Sequence, residues 1–153
     1  MSLNLAHFLY LTAREHPEKT AVVLDDYRFS YQEVLTYARR VASLLHAKGI
    51  RRGDKVAMMI PNSPHFPVIY FGALLAGAVV VPVNCLLKGH EIHYYLEDSD
   101  ARLFFTWIDF LDESIKAMEE ALACQHLVVV SYPNDREDPV AGESFTKLLE
   151  EAS

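Results

Sequence analysis

The chain has 153 residues, 51% hydrophobic and 23% charged, a balance that gives one folded domain with a true core and excludes intrinsic disorder. Its formal charge is −7, and Lys and Arg nowhere cluster, so a nucleic-acid partner, which needs concentrated positive charge against phosphates, is not expected. Much of the excess is local: between 131 and 153 six acids stand against Arg136 and Lys147, a net of −4, which reads as a solvated acidic surface.

The start of the chain lacks the charged opening and small-residue cleavage site of a secretory signal. Leu5, Phe8, Leu9 and Thr12 follow helical spacing instead, and predict a surface helix from Asn4 to Glu15, with Met1 to Leu3 read as a cloning remnant. Thr20 to Leu24 and Tyr27 to Ser30 are strand-like runs joined at Asp25-Asp26 as a hairpin without the usual glycine. Ser30 and Glu33 form a capping box for a helix whose buried stripe is Val34, Ala38, Val41 and Leu45, with Leu35 and Ala42, and which Gly49 ends.

The run from Gly49 to Asn84 is the most informative stretch. No Asp, Glu, Lys or Arg occurs between Lys55 and Lys88, so it is either a membrane segment or the buried centre of a parallel sheet. Its longest apolar run, Val68 to Val83, is shorter than the roughly 20 residues that cross a bilayer, and it changes period part-way. The run therefore reads as a strand from Lys55 to Ile60, a helix with Pro64 and Pro67 in its first turn, and a strand from Ala78 to Val83. Gly72, Ala73, Ala76 and Gly77 are expected to bring that helix close to the sheet. No transmembrane segment is expected.

Further on, His90 to Glu97 reads as a short helix, Asp98 to Asp100 as a turn, and Leu103 to Thr106 as a third strand. Leu111, Ile115, Met118 and Leu122 mark one face of a helix from about Asp109 to Ala123, followed by the strand Leu127 to Val130. Tyr132 to Gly142 reads as a surface loop, and Phe145, Leu148 and Leu149 as a last short helix. Strand and helix alternate four times, which predicts an α/β fold: a mainly parallel sheet flanked by helices on both faces, with a small N-terminal β-hairpin.

Such sheets bind ligands at the carboxyl ends of their strands, here after Ile60, Val83, Thr106 and Val130. None of the six glycines forms a phosphate-binding turn there, which disfavours a small nucleotide-binding domain of flavodoxin type. His90 and His93 are spaced for one helix face, but a metal needs more ligands than these, and no metal site is expected. His65 either lines a pocket or is a partly exposed first-turn residue, the plainer reading. Ser63 reads as a helix cap, and Trp107, Phe104 and Phe105 as core. Cys85 and Cys124 lack redox or metal spacing and fit reduced thiols in the cytoplasm. No catalytic residue is assigned.

At this point the residues match a family. Phe29-Ser30-Tyr31-Gln32-Glu33-Val34 resembles an L-[ST]-Y-x-E-L element, and Leu74 to Asn84 resembles L-K-A-G-x-x-x-V-P-x-N/D, with Gly53-Asp54-Lys55-Val56-Ala57 and Pro61-Asn62-Ser63 at the usual spacing between them. From about His7 to Val130 the chain resembles the N-terminal part of the adenylate-forming acyl-CoA synthetases, which share a superfamily with luciferases and peptide-synthetase adenylation domains.

The resemblance implies that residues 1–153 are an N-terminal subdomain of a larger enzyme that takes a carboxylic acid, a fatty acid by family frequency, with ATP and Mg2+ to an acyl-adenylate and then to a coenzyme A thioester. The phosphate loop and catalytic lysine of that family lie later than this chain reaches, so the chain alone is expected to be inactive and to hold none of these cofactors. Where relatives carry Asn-Pro-Arg, this chain has Asn84-Cys85-Leu86, and Lys88 is the candidate substitute for contact with coenzyme A. The alternative is a free-standing α/β binding or interaction module. In a fragment, apolar faces made for the missing remainder are expected to promote self-association.

Overall fold

A computed structural model describes residues 4–132 and 138–152. The reading of Met1 to Leu3, and the centre of the loop expected from Tyr132 to Gly142, lie outside the described residues. The elements are α1 (Ala6–Glu15), β1 (Thr20–Leu24), β2 (Tyr27–Ser30), α2 (Tyr31–Ala47), β3 (Lys55–Met59), α3 (His65–Leu75) and β4 (Val79–Pro82). They continue with α4 (Gly89–Ser99), β5 (Ala101–Trp107), a 3-10 turn (Ile108–Phe110), α5 (Leu111–Met118), β6 (His126–Val130), β7 (Glu143–Ser144) and α6 (Phe145–Glu151).

Hydrogen bonding assembles β4-β3-β5-β6-β7 into one parallel sheet, in that order, while β1 and β2 form a separate antiparallel hairpin. The hairpin turns without glycine because Asp25 itself takes a left-handed φ of 49°, a conformation a short polar side chain tolerates. Strand β7, two residues paired to β6, escaped the sequence reading because so short a piece carries no periodicity.

Side-chain alternation along the central strands decides the layers. Val56, Met58, Ile60, Leu103, Phe105, Trp107, Val128 and Val130 point to one face, where α1, α2, α3 and α6 cover them. Ala57, Met59, Phe104, Leu127 and Val129 point to the other, against α4 and α5. Both faces are covered, which is why β3 is apolar at consecutive positions rather than alternate ones. Two polar side chains are fully buried in that second layer: Thr106 and Ser114 pair Oγ1 to Oγ at 2.7 Å, and Ser114 Oγ donates onward to Phe110 O at 2.9 Å.

The capping box forms as the sequence implies, with Glu33 N–H donating to Ser30 Oγ (3.2 Å) and Ser30 N–H to Glu33 Oε2 (2.7 Å). Gly49, at φ 78°, ends α2 by letting Ile50 N–H return to Leu45 O at 2.9 Å. Among the described residues no helix is long and apolar enough to cross a membrane.

Three expectations are corrected. In α1 the buried positions are Ala6, Leu9 and Ala13, while Leu5 and Phe8 are 56% and 54% exposed; small residues let the helix lie close to its neighbours, so the inward stripe is rotated from the largest side chains. Helix α5 stops at Met118 and leaves Leu122 88% exposed, because the chain turns through 119–122 before Cys124 is buried. Gly72 serves a helix-helix contact rather than the sheet: a Cβ there meets Val41 Cβ at 2.5 Å and Ala38 O at 2.9 Å, both on α2.

Alanine normally stabilises a helix relative to glycine by roughly 0.5–1 kcal/mol. At position 72 the sign reverses, and Gly72→Ala is expected to destabilise by about 1–3 kcal/mol through overpacking. Val41→Ala in the same chain is expected to recover part of that loss, read as denaturant midpoints of the single and double variants.

Candidate ligand-binding site

Loops at the carboxyl ends of the strands go to two places. Those after β3, β5 and β6 converge with the hairpin, α2 and α6 on one cavity of about 630 Å3. The loop after β4 runs elsewhere, to the start of α4 and to Lys88.

The cavity is built mainly from aromatic rings. Trp107, at the end of β5, meets Tyr132 edge to face with centroids 5.0 Å apart, and His65 meets Trp107 at 5.6 Å and Phe145 at 6.1 Å. Phe145 in turn stands against Phe105 at 5.9 Å in the core, which explains what α6 packs on. Tyr37 of α2 and Phe29 of the hairpin close another wall with centroids 5.9 Å apart. Tyr132 Oη donates to Asp109 Oδ2 at 2.8 Å and fixes the rim.

Two polar atoms stand out in this setting. Ser63 Oγ and His65 Nδ1 are enclosed and meet no hydrogen-bonding partner among the described residues, although both residues line the cavity. An enclosed polar atom without a partner costs about 1–3 kcal/mol. Ser63 does not cap α3 with its hydroxyl, contrary to expectation; only its carbonyl takes part, accepting from Phe66 N–H at 3.0 Å. Burial pushes the His65 pKa below its ordinary value of 6.5, so the ring is neutral near pH 7 and presents one donor and one acceptor.

Among the described residues Asp25, Asp109 and Glu150 contribute carboxylates to the lining and Arg40 a guanidinium, which lies 5.7 Å from the Tyr37 ring centroid. Ser63 and His65 make no hydrogen bond to each other, so the arrangement offers no activated nucleophile. Its chemistry is that of binding.

Lys88 stands apart from this cavity. It is exposed at the N-cap of α4, where its own N–H donates to Glu91 Oε2 at 2.9 Å and Gly89 N–H donates to Glu113 Oε2 at 2.7 Å. Glu113 also holds Lys116 at 2.8 Å, and the Lys116 hydrogen bond, followed by that of the Gly89 amide, keeps its carboxyl below the ordinary range. Leu86 is 83% exposed.

His93 is engaged on both sides, with Nδ1 3.3 Å from Ala117 O and Nε2 3.1 Å from Glu97, while His90 is exposed. Among the described residues no three His, Cys, Asp or Glu side chains gather as a metal site. Trp107 is both core, 5% exposed, and cavity wall. The sequence reading missed Tyr37, Tyr132 and Phe145 as cavity residues, since their convergence depends on tertiary packing; a count of aromatics following strand ends was the one available signal.

A five-stranded parallel sheet with helices on both faces defines an α/β domain, and its cavity lies at the carboxyl end of the strands, where such sheets commonly bind ligands. Residues 9–151 match the family described as AMP-binding enzyme, and the chain belongs to that family. It is 32% identical over 125 residues to a long-chain-fatty-acid–CoA ligase of Bacillus subtilis (strain 168), covering 82% of this chain and 22% of that protein. It is 35% identical over 123 residues to a crotonobetaine/carnitine–CoA ligase of Escherichia coli O1:K1 / APEC, covering 79% of this chain and 23% of that one. Among solved structures, a benzoate CoA ligase from Burkholderia xenovorans LB400 superposes with a TM-score of 0.84 at 28% identity, over 97% of this chain and 28% of that structure. The chain thus spans less than a third of the length of these relatives.

Because the folded-state pKa of His65 lies below 6.5, the unfolded chain takes up a proton first on acidification. The stability His65 contributes is full above 6.5 and is lost as pH falls from there towards the folded value. His65→Leu is expected to remove that part of the decline in melting temperature between pH about 7.5 and about 5.5, and to leave stability at the upper pH equal or higher, since an unpaired enclosed nitrogen disappears. Thermal scans of both proteins across that range check it.

Proposed function

We propose that this chain is the N-terminal subdomain of an AMP-forming acid–thiol ligase, with a long- or medium-chain fatty acid as the carboxylic acid. The family match over residues 9–151 carries the reading, and the names of its CoA-ligase relatives support it. In that reaction a carboxylate oxygen attacks the α-phosphorus of ATP and pyrophosphate leaves. The thiolate of coenzyme A then attacks the acyl carbonyl and AMP leaves.

ATP and Mg2+ are proposed to be held by residues outside this chain. A phosphate held at a helix N-terminus needs free backbone N–H donors, and the loop into α3 carries Pro61 and Pro64, neither of which has one. The start of α4 already has Glu91 and Glu113 on its amides, and the start of α5 has Asp112 and Glu113 in its first turn. These prolines and carboxylates weigh against a bound phosphate at the starts of α3, α4 and α5. The catalytic groups of the parent enzyme are proposed to lie outside residues 1–153, and the chain alone is proposed to be inactive.

Within this reading Lys88 is the proposed contact for a phosphate of coenzyme A, since it is exposed and lies four positions after Asn84, the end of the Leu74 to Asn84 element. The exposed Leu5 and Phe8 of α1 are a proposed self-association surface, and sedimentation as a monomer at high concentration would remove it. Cys124, buried and with its thiol pushed up to about 12, and the unpaired Cys85 fit a reducing cytoplasm.

Pyrophosphate release that depends on an added fatty acid is expected of the parent protein and not of residues 1–153. Silence of the parent across fatty and aromatic acids overturns the reading. In the parent, Lys88→Ala is expected to raise KM for coenzyme A several-fold, by about 1 kcal/mol for an exposed charged contact, with adenylate formation unchanged; an unaltered KM removes the role given to Lys88.

A further inference from the structure

We propose that the cavity at the carboxyl end of the sheet binds a small neutral aromatic molecule bearing one hydroxyl or amide, its ring set among Trp107, Tyr132 and Phe145 and its polar group bonded to Ser63 or His65. The inference goes beyond the ligase reading and does not rest on it.

Size and lining come first. A volume of about 630 Å3 falls within the roughly 300–1,000 Å3 of small-molecule pockets, which are mostly apolar with a few placed polar groups. The aromatic walls are braced from behind, Phe145 by Phe105 and Tyr132 by its bond to Asp109, so the rings are set before any ligand enters. Edge-to-face neighbours of this kind accept a further ring at little reorganisation cost.

The two unpartnered atoms supply the polar half of the argument. Ser63 Oγ and His65 Nδ1 flank Pro64 on one loop, and both residues line the same cavity. Both atoms are enclosed as they stand, so a ligand hydroxyl or amide reaches one of them only after a turn of the Ser63 χ1 bond or a shift of the His65 ring against Trp107 and Phe145. Native proteins rarely leave such atoms unpaired, and where they do the cause is often a site.

Charge then selects among ligands. Among the described residues Asp25, Asp109 and Glu150 outnumber Arg40 in the lining, so a carboxylate or phosphate is disfavoured on entry, which separates this occupant from the acid, nucleotide and coenzyme of the parent reaction. A cation fares no better at the floor, because Ser63 and His65 sit at the start of α3, the positive end of that helix. A neutral imidazole matches a neutral donor or acceptor. Ser63 and His65 are therefore binding residues, with stability given up locally to leave a polar group available.

The test uses the 153-residue chain, in which Trp107 is the only tryptophan, so the indole N–H signal in NMR reports the cavity alone. 4-Ethylphenol is expected to shift that signal saturably and to bind more tightly than 4-ethylbenzoate or 4-ethylbenzylammonium. His65→Leu or Ser63→Ala is expected to weaken 4-ethylphenol by roughly three- to tenfold, the worth of one hydrogen bond, while 4-ethyltoluene, which has no polar group, changes less than about twofold. The two variants are independent, so one that folds poorly leaves the other to decide. Absence of a saturable shift, equal or tighter binding of either charged probe, or equal weakening of 4-ethyltoluene overturns the proposal. None of these outcomes touches pyrophosphate release by the parent, which tests the ligase reading separately.

Discussion

Burial of the central strands on both faces is the constraint from which the remaining architecture follows. Strand β3 lies between β4 and β5 with Val56 and Met58 under α2 and α3 and Ala57 and Met59 under α4 and α5. A charge at any of these positions has no route to water, and an isolated ion so buried is prohibitively costly. The uncharged stretch from 56 to 87 is the sequence expression of that enclosure. Close packing of α2 on α3 at Gly72 and Val41 then makes the first layer one rigid plate, and the cavity forms where that plate meets the strand ends.

Long periodic elements were legible in the sequence for a physical reason: their burial repeats with the backbone period. Helix α2 shows it best, since its stripe and its capping box are both local patterns, and both appear in the structure. Strands β3, β5 and β6 were legible as short apolar runs for the same reason. What was not legible depended on partners distant in sequence. Which face of α1 turns inward depends on how closely its neighbours approach, and β7 exists only because β6 offers an edge. The cavity is the extreme case, since Phe29, Tyr37, His65, Trp107, Tyr132 and Phe145 come from six elements or loops. Their types alone read as ordinary core residues.

The family resemblance and the geometry contribute different things. The elements around Ser30 and from Leu74 to Asn84 that carry the resemblance turn out to be a helix cap and an edge strand with its flanks, that is, parts of the scaffold. At the starts of α3 and α4, Pro61, Pro64, Glu91 and Glu113 leave few backbone N–H groups free. The two elements that carry the resemblance thus shape the platform, and apart from Phe29 the aromatic recess is built from other residues.

The shortest strand has the longest reach. Strand β7 offers two residues of pairing, and α6, which carries Phe145 into the cavity, begins at the next position. The strand is held in addition by Glu143, which meets Lys48 at the end of α2 and has His126 at 3.7 Å. The wall of an apolar recess is therefore moored in part by the partly exposed Lys48–Glu143 ion pair, and such pairs loosen with ionic strength. Salt, which has no direct purchase on stacked rings, acquires one here through the tether that sets how far Phe145 reaches.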